Sequence, residues 1–181
     1  NVRRIEDLQS LPILSKGMVR KQSNEIIAIN HAIFSPGMVR TSGSTGEPLE
    51  FMVDQRTRLS EYAAEWRCLL ENGGRMGGSS TTFRGDYYRK HRKTGAHWFR
   101  HGLSGSLVFN TFSMDPESCE KYIGKMRDIQ PEIIRGFPSS LSHLAKFVEG
   151  EKLCPESIAF CSSEMMDEEM KELILSRISK K

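Results

Sequence analysis

Residues Thr41 to Gly46 read Thr-Ser-Gly-Ser-Thr-Gly, and Glu47-Pro48 follow. Glycine accepts φ > 0, so successive backbone N–H groups can turn into one concavity and hold an anion. The hydroxyls of Thr41, Ser42, Ser44 and Thr45 add donors, so phosphate oxygens could be wrapped with little formal charge. Pro48 stiffens the exit. A flexible Ser/Gly linker has the same composition. Placement favours the nest, because Val39-Arg40 leads in and Leu49 to Val53 follows as an apolar, strand-like run. Two other phosphate loops are excluded. A Walker A loop needs GxxxxGK and a helix after it, whereas Gly43 and Gly46 are three apart, with no Lys after Gly46 and a strand next. No GxGxxG is present either.

Weaker candidates lie elsewhere. Tyr87 to Lys93 is a basic run beside two tyrosines, which could meet nucleic acid by charge and stacking but reads more simply as a solvated loop. Arg84-Gly85-Asp86 spells an adhesion tripeptide that chance explains. His97 and His101 could share a metal on a helix, yet no third ligand stands nearby in sequence. Cys161 sits at a strand end before Ser162-Ser163-Glu164, where a buried thiol is the simpler reading than a nucleophile. No GxSxG elbow is present and no Ser–His–acid set can be inferred.

The elements that would position these groups follow from periodicity. Ser15 can cap a short helix to about Gln22, and residues 30–38 read as irregular. Asp54 offers an N-cap to a helix whose stripe is Leu59, Tyr62, Ala63, Trp66, Leu69 and Leu70, stopped by Gly73-Gly74. Thr81 to Phe83 reads as a strand, and Arg84 to His101 as an excursion from the core. From residue 107 the order is strand (107–109), helix opened by Asp115-Pro116, strand (133–134), helix after Gly136-Phe137-Pro138-Ser139, strand (157–161), and helix from about Asp167. That alternation predicts α/β packing with parallel strands.

Composition sets the outer limits. The chain has 181 residues, 38% of them apolar, with 26 basic against 23 acidic residues. A net charge of +3 gives no argument for a polyanion partner. Mean hydropathy is −0.46, and no window approaches the roughly 18 apolar residues of a membrane span, so no membrane partner is expected. Four cysteines without a CxxC pair suit free thiols in a reducing cytoplasm. No apolar run follows Asn1-Val2-Arg3-Arg4, which is unlike a secretory signal. The absence of an initial Met suggests a piece of a longer protein.

Residues 41–48 resemble the phosphate-binding signature of the adenylate-forming (ANL) superfamily, which includes acyl- and aryl-coenzyme A ligases, luciferases and peptide-synthetase adenylation domains. Leu11-Pro12-Ile13-Leu14-Ser15-Lys16 resembles the LPILTK stretch of its phenylacetate–coenzyme A ligase branch. Glu132 to Leu141 resembles that branch's P-x-x-x-x-G-Y-P-S-S-L segment, and Ser162-Ser163-Glu164-Met165-Met166 its T-S-E-x-L segment. The similarity runs in order from about residue 10 to 179 and points to the sub-branch named for capsular polysaccharide biosynthesis proteins.

The resemblance implies an ATP-dependent, AMP-forming ligase of the cytoplasm. A carboxylate attacks the α-phosphate of ATP, and the acyl-adenylate then passes to a thiol such as coenzyme A, with Mg2+ neutralising the phosphates. Thr41, Ser42, Gly43, Ser44, Thr45 and Gly46 would clasp the β- and γ-phosphates. Ser162, Ser163 and Glu164 would lie against the nucleotide, and Gly136, Phe137, Pro138 and Ser139 near the acyl pocket. Many relatives carry Lys where this chain has Leu49. The family's aromatic-Gly-x-x-Glu segment, ribose-holding Asp and catalytic Lys have no counterpart in residues 1–181, so no catalytic residue and no protein ligand for a metal is assigned. The expectation is an incomplete N-terminal portion of the AMP-binding large domain, spanning 1–181. Its α/β sheet would be largely parallel or mixed, flanked by helices and inactive alone. A homodimer is compatible with this. Alternatives are a non-catalytic nucleotide- or phosphate-binding module and a basic nucleic-acid-binding domain.

Overall fold

A computed structural model describes residues 4–41, 49–85, 97–102 and 105–181. Its contacts divide the chain into two compact units, residues 1–64 and 65–181.

The first unit opens with a 3-10 segment, Ile5–Ser10. Ser15 Oγ then accepts the Met18 N–H at 3.2 Å and caps α1 (Lys16–Lys21), because a free helix N-terminus needs an acceptor. Helix α2 (Ser23–Ile26) and a second 3-10 turn, His31–Phe34, follow. Strand β1 (Gly37–Arg40) pairs antiparallel with β2 (Glu50–Val53), in the register Gly37↔Val53 to Arg40↔Glu50. The stretch 30–38 expected to be irregular therefore ends in ordered strand. Asp54 receives the Thr57 N–H at 2.8 Å and the Thr57 hydroxyl at 2.6 Å, and α3 (Gln55–Glu71) starts there. The unit boundary falls within α3. No described residue from 4 to 64 is buried, and Ile13 and Ile29 are 93% and 104% exposed.

The second unit is built on strands β3 (Ser80–Phe83), β4 (Trp98–Arg100), β5 (Leu107–Phe109), β6 (Ile133–Gly136) and β7 (Ile158–Cys161). Their order is β4-β5-β3-β6-β7. Strands β3, β5, β6 and β7 are parallel, and β4 joins β5 antiparallel at the edge. The sheet is thus mixed. Trp98 to Arg100, expected within an excursion from the core, instead form that edge strand. Helices α4 (Pro116–Ile129), α5 (Pro138–Ala145) and α6 (Glu168–Arg177) complete the unit. Asp115 and Asp167 cap α4 and α6 by accepting the N–H of Ser118 and Met170.

Strand alternation sorts the side chains between two faces. Ile134, Ala159 and Cys161 join Phe83, Phe109, Tyr122, Met126, Leu141, Leu144, Ile174 and Ile178, a cluster fed by α4, α5 and α6. Ile133, Ile158 and Phe160 point the other way, to Trp66 and Leu69 of α3. Each such side chain, fully buried, contributes roughly 1.5–3 kcal/mol, so the sheet face under α4–α6 holds most of the unit's apolar stabilisation. Beyond α6 the chain returns to the outer side of β7, where Lys180 N–H reaches Ser157 O at 3.0 Å and Ala159 N–H reaches Lys181 O at 2.7 Å.

Candidate functional site

Thr41 closes the hairpin from both sides. Its N–H donates to Leu49 O at 2.9 Å, and its Oγ1 accepts from Leu49 N–H at 2.9 Å. The expected placement of the Gly/Ser cluster between two strands is what β1 and β2 provide. Ser42, Gly43, Ser44, Thr45 and Gly46 lie outside the described residues, as does the basic run 87–93. At the base of the hairpin, Arg40 bonds the Glu50 carboxylate through Nε and Nη2, and both contacts go to Oε1. Leu49, which follows the cluster, supplies no charge.

The other expected segments meet in the second unit. The connection after β3 leads towards β5, and the one after β6 leads towards β7. The two diverge between β3 and β6, and open parallel sheets place ligands beyond the carboxyl ends of strands at such a point. Gly136 ends β6 there, in register with Cys161 at the end of β7. Phe137 is extended (φ −74°, ψ 142°) and Pro138 takes the first position of α5, where its missing N–H costs nothing. Pro138 is buried and Ser139 is exposed. Phe137 gives α5 no side-chain cap. Glu164 provides one from 25 residues away: its Oε2 accepts the Ser139 N–H at 3.2 Å. Gly136 to Ser139 and Ser162 to Glu164 are therefore brought together at the ends of adjacent strands.

Ser163 has φ +70°, a left-handed conformation that costs a non-glycine residue on the order of 1 kcal/mol or more. This bend sets the direction in which Glu164 leaves β7. Cys161, just before it, has its thiol pushed up to about 11 by burial. A thiol so protonated at neutral pH is a poor nucleophile, which agrees with the structural reading of this cysteine.

Gly136 has a packing reason for its identity. A Cβ there would stand 3.1 Å from Leu141 Cγ and 3.2 Å from Phe83 Cβ. The missing side chain thus lets α5 and β3 approach the end of β6, whatever else the residue does.

One ion pair beside these strands carries no sequence signature. Arg135 of β6 bonds Glu65 of α3 through Nη1, and its guanidinium lies 5.6 Å from the Trp66 ring centre. Its Nε is buried without a partner among the described residues. Glu65 and Arg135 are 70 positions apart, so only the α3-to-sheet packing reveals them.

His97 faces Lys121, whose Nζ lies 3.0 Å from His97 Nε2. The lone pair a metal would take there accepts from an ammonium. Among the described residues no group of three or more His, Cys, Asp or Glu could hold a metal ion. Among the described residues no helix is long and apolar enough to cross a membrane. No protein-family model matches the chain, and no curated protein matches it.

Proposed function

We propose that this chain is the nucleotide-handling N-terminal part of an AMP-forming ligase, one that activates a carboxylate as its acyl-adenylate and passes it to a thiol such as coenzyme A. The observation that carries the reading is the closure of the 41–49 hairpin by Thr41. Backbone N–H groups can grip phosphate only when the ends of their loop are held, and here two 2.9 Å hydrogen bonds hold them. The meeting of 136–139 with 162–164 at the carboxyl ends of β6 and β7 supports it further, since these are the segments that resemble the acyl and nucleotide sides of such a site. The exposed apolar surface of residues 4–64 also suits a unit that packs within a larger domain. In this reading the catalytic Lys and the ribose contacts belong to segments outside residues 1–181, and the isolated chain does not turn over.

Calorimetry with ATP and AMP tests the reading. The chain should bind ATP, and Gly43→Ala/Gly46→Ala should weaken that by about tenfold or more, which is about 1.4 kcal/mol. Unchanged affinity would exclude the loop. Pyrophosphate release at an enzymatic rate by this chain alone would refute the view that it is a part.

A second reading is a non-catalytic phosphate-binding module. It is favoured by Leu49 and by the commitment of Arg40 to Glu50, which leave the loop's base with little positive charge. ATP binding without preference over inorganic triphosphate would select it. A nucleic-acid role for 87–93 requires binding that weakens steeply with salt.

A further inference from the structure

Asn72-Gly73 is the only Asn-Gly pair in the chain, and both residues are exposed. The pair sits just beyond α3, inside the hydrogen-bonded cap that closes the helix. Gly74 N–H reaches back to Leu69 O at 2.9 Å, and Gly73 N–H to Leu70 O at 3.0 Å. Gly73 makes this turn with φ +93°, a conformation open to glycine because it has no Cβ. The Asn72 side chain adds a further tie, donating from Nδ2 to Cys68 O at 2.9 Å. Lys181 Nζ donates to Asn72 O at 3.1 Å, so the cap also meets the segment that runs beside β7.

This dipeptide can react with itself. The backbone nitrogen of Gly73 can close a five-membered ring on the side-chain carbonyl carbon of Asn72, and glycine has no side chain to hinder the approach. The bond formed is Gly73 N to Asn72 Cγ. The bond broken is Asn72 Cγ to Nδ2, which leaves as ammonia with the proton that Gly73 N gives up. Water then opens the cyclic imide at either carbonyl, giving aspartate or isoaspartate. The imide nitrogen carries no hydrogen, so the bond to Leu70 O is lost, and the departing Nδ2 takes the bond to Cys68 O with it. Either product leaves a carboxylate at the C-terminal end of α3, where the last carbonyl groups already present negative charge. The fold thus engages both reacting nitrogens in bonds that must open first, and the product cannot restore the bond to Cys68.

We propose that Asn72 is a site of spontaneous deamidation gated by the cap of α3: it converts when the last turn opens, and conversion weakens that turn in return. The site does not depend on the nucleotide reading, and its failure leaves that reading untouched.

The test is incubation of the purified chain at mildly alkaline pH, folded and in denaturing urea, with the tryptic peptide Cys68 to Arg75 followed by mass spectrometry. Asn72 should convert while Asn24, Asn30 and Asn110 stay intact over the same period. The folded chain should convert about tenfold more slowly than the unfolded one, since hydrogen bonds of ordinary net strength have to open first. The converted chain, separated by its extra negative charge, should exchange the Gly74 amide hydrogen several times faster than the parent, and Asn72→Asp should do the same. The proposal is overturned if Asn72 stays intact in the folded chain or if another asparagine converts as fast. Equal rates in the folded and unfolded chains would overturn it too, as would Gly74 exchange that conversion leaves unchanged.

Discussion

Ser139 and Glu164 are joined by one hydrogen bond, backbone N–H to carboxylate, at 3.2 Å. The bond ties the first turn of α5 to the bend after β7. A carboxylate there also meets the positive end of the α5 dipole, which gives this exposed side chain a structural duty as well as its proposed place beside a nucleotide.

Glu164→Ala should therefore speed hydrogen exchange at the Ser139 amide and cost on the order of 0.5–1 kcal/mol, the usual effect of losing a helix cap. Hydrogen exchange by NMR and a urea melt check both. If the Ser139 amide exchanges at the wild-type rate in the variant, the bond has no role in solution.

At Gly136 the expected effect is larger. In Gly136→Ala the new Cβ presses on Leu141 and Phe83, both fully buried. Crowding of this kind costs roughly 1–3 kcal/mol. Removing the opposing atoms in Gly136→Ala/Leu141→Ala should cost less than the two single changes summed, a non-additive result that a thermal-melt cycle detects. A Gly136→Ala chain as stable as the parent would mean that Leu141 and Phe83 yield to the methyl group and that close packing does not require the glycine.

The thiols give a prediction that needs no ligand. Cys119, Cys154 and Cys161 have their thiols pushed up to about 11 by burial, whereas Cys68 is exposed. At pH 8 a disulfide reagent should label Cys68 quickly and leave the other three until the chain is unfolded, since the thiolate is the reactive form. Fast labelling of a second cysteine, identified by peptide mapping, would contradict the packing around it.

Much of the second unit was legible because local signals and packing agree there. Asp115-Pro116 and Asp167 mark helix starts by the capping chemistry they perform, and the apolar stripes of α4 and α5 meet a sheet. The stripe of α3 shows the limit of periodicity. Leu59 and Tyr62 share it with Trp66 and Leu69, yet they are 60% and 62% exposed, whereas Trp66 and Leu69 pack with Ile133, Ile158 and Phe160. A 3.6-residue period names a face and is silent on what covers it. Strand β4 was hidden for a related reason: three residues beside a basic run carry little alternation, and it is pairing with β5 that makes them a strand. For the candidate site, the hairpin around 41–49 was readable from its flanking runs. The Ser139–Glu164 bond was not, because it joins residues whose neighbourhood depends on the order of β6 and β7, and the left-handed Ser163 has no residue-type signal of the kind glycine gives.

Glu132 and Arg75 should make stability depend on acid. Arg75 donates to both Glu132 oxygens through Nε and Nη2, at 3.2 Å and 2.9 Å, and its backbone N–H adds a bond at 2.8 Å. Hydrogen bonding from the Arg75 side chain is the largest cause that holds the Glu132 carboxyl below its ordinary value, with burial opposing it. A group whose folded value is depressed stabilises the fold above its unfolded value, roughly 4.3–4.5 for Glu, and loses that contribution as pH falls through the folded value. Glu132→Gln should thus be less stable than the parent at pH 6–7. The gap should narrow on acidification through about pH 4 and close below the folded value. Urea midpoints measured for both chains from pH 3 to 7 check the sign. A gap that stays constant or widens in acid would show that the carboxylate is no more ionised in the folded chain than in the unfolded one, and that the Arg75 contacts do not persist in solution.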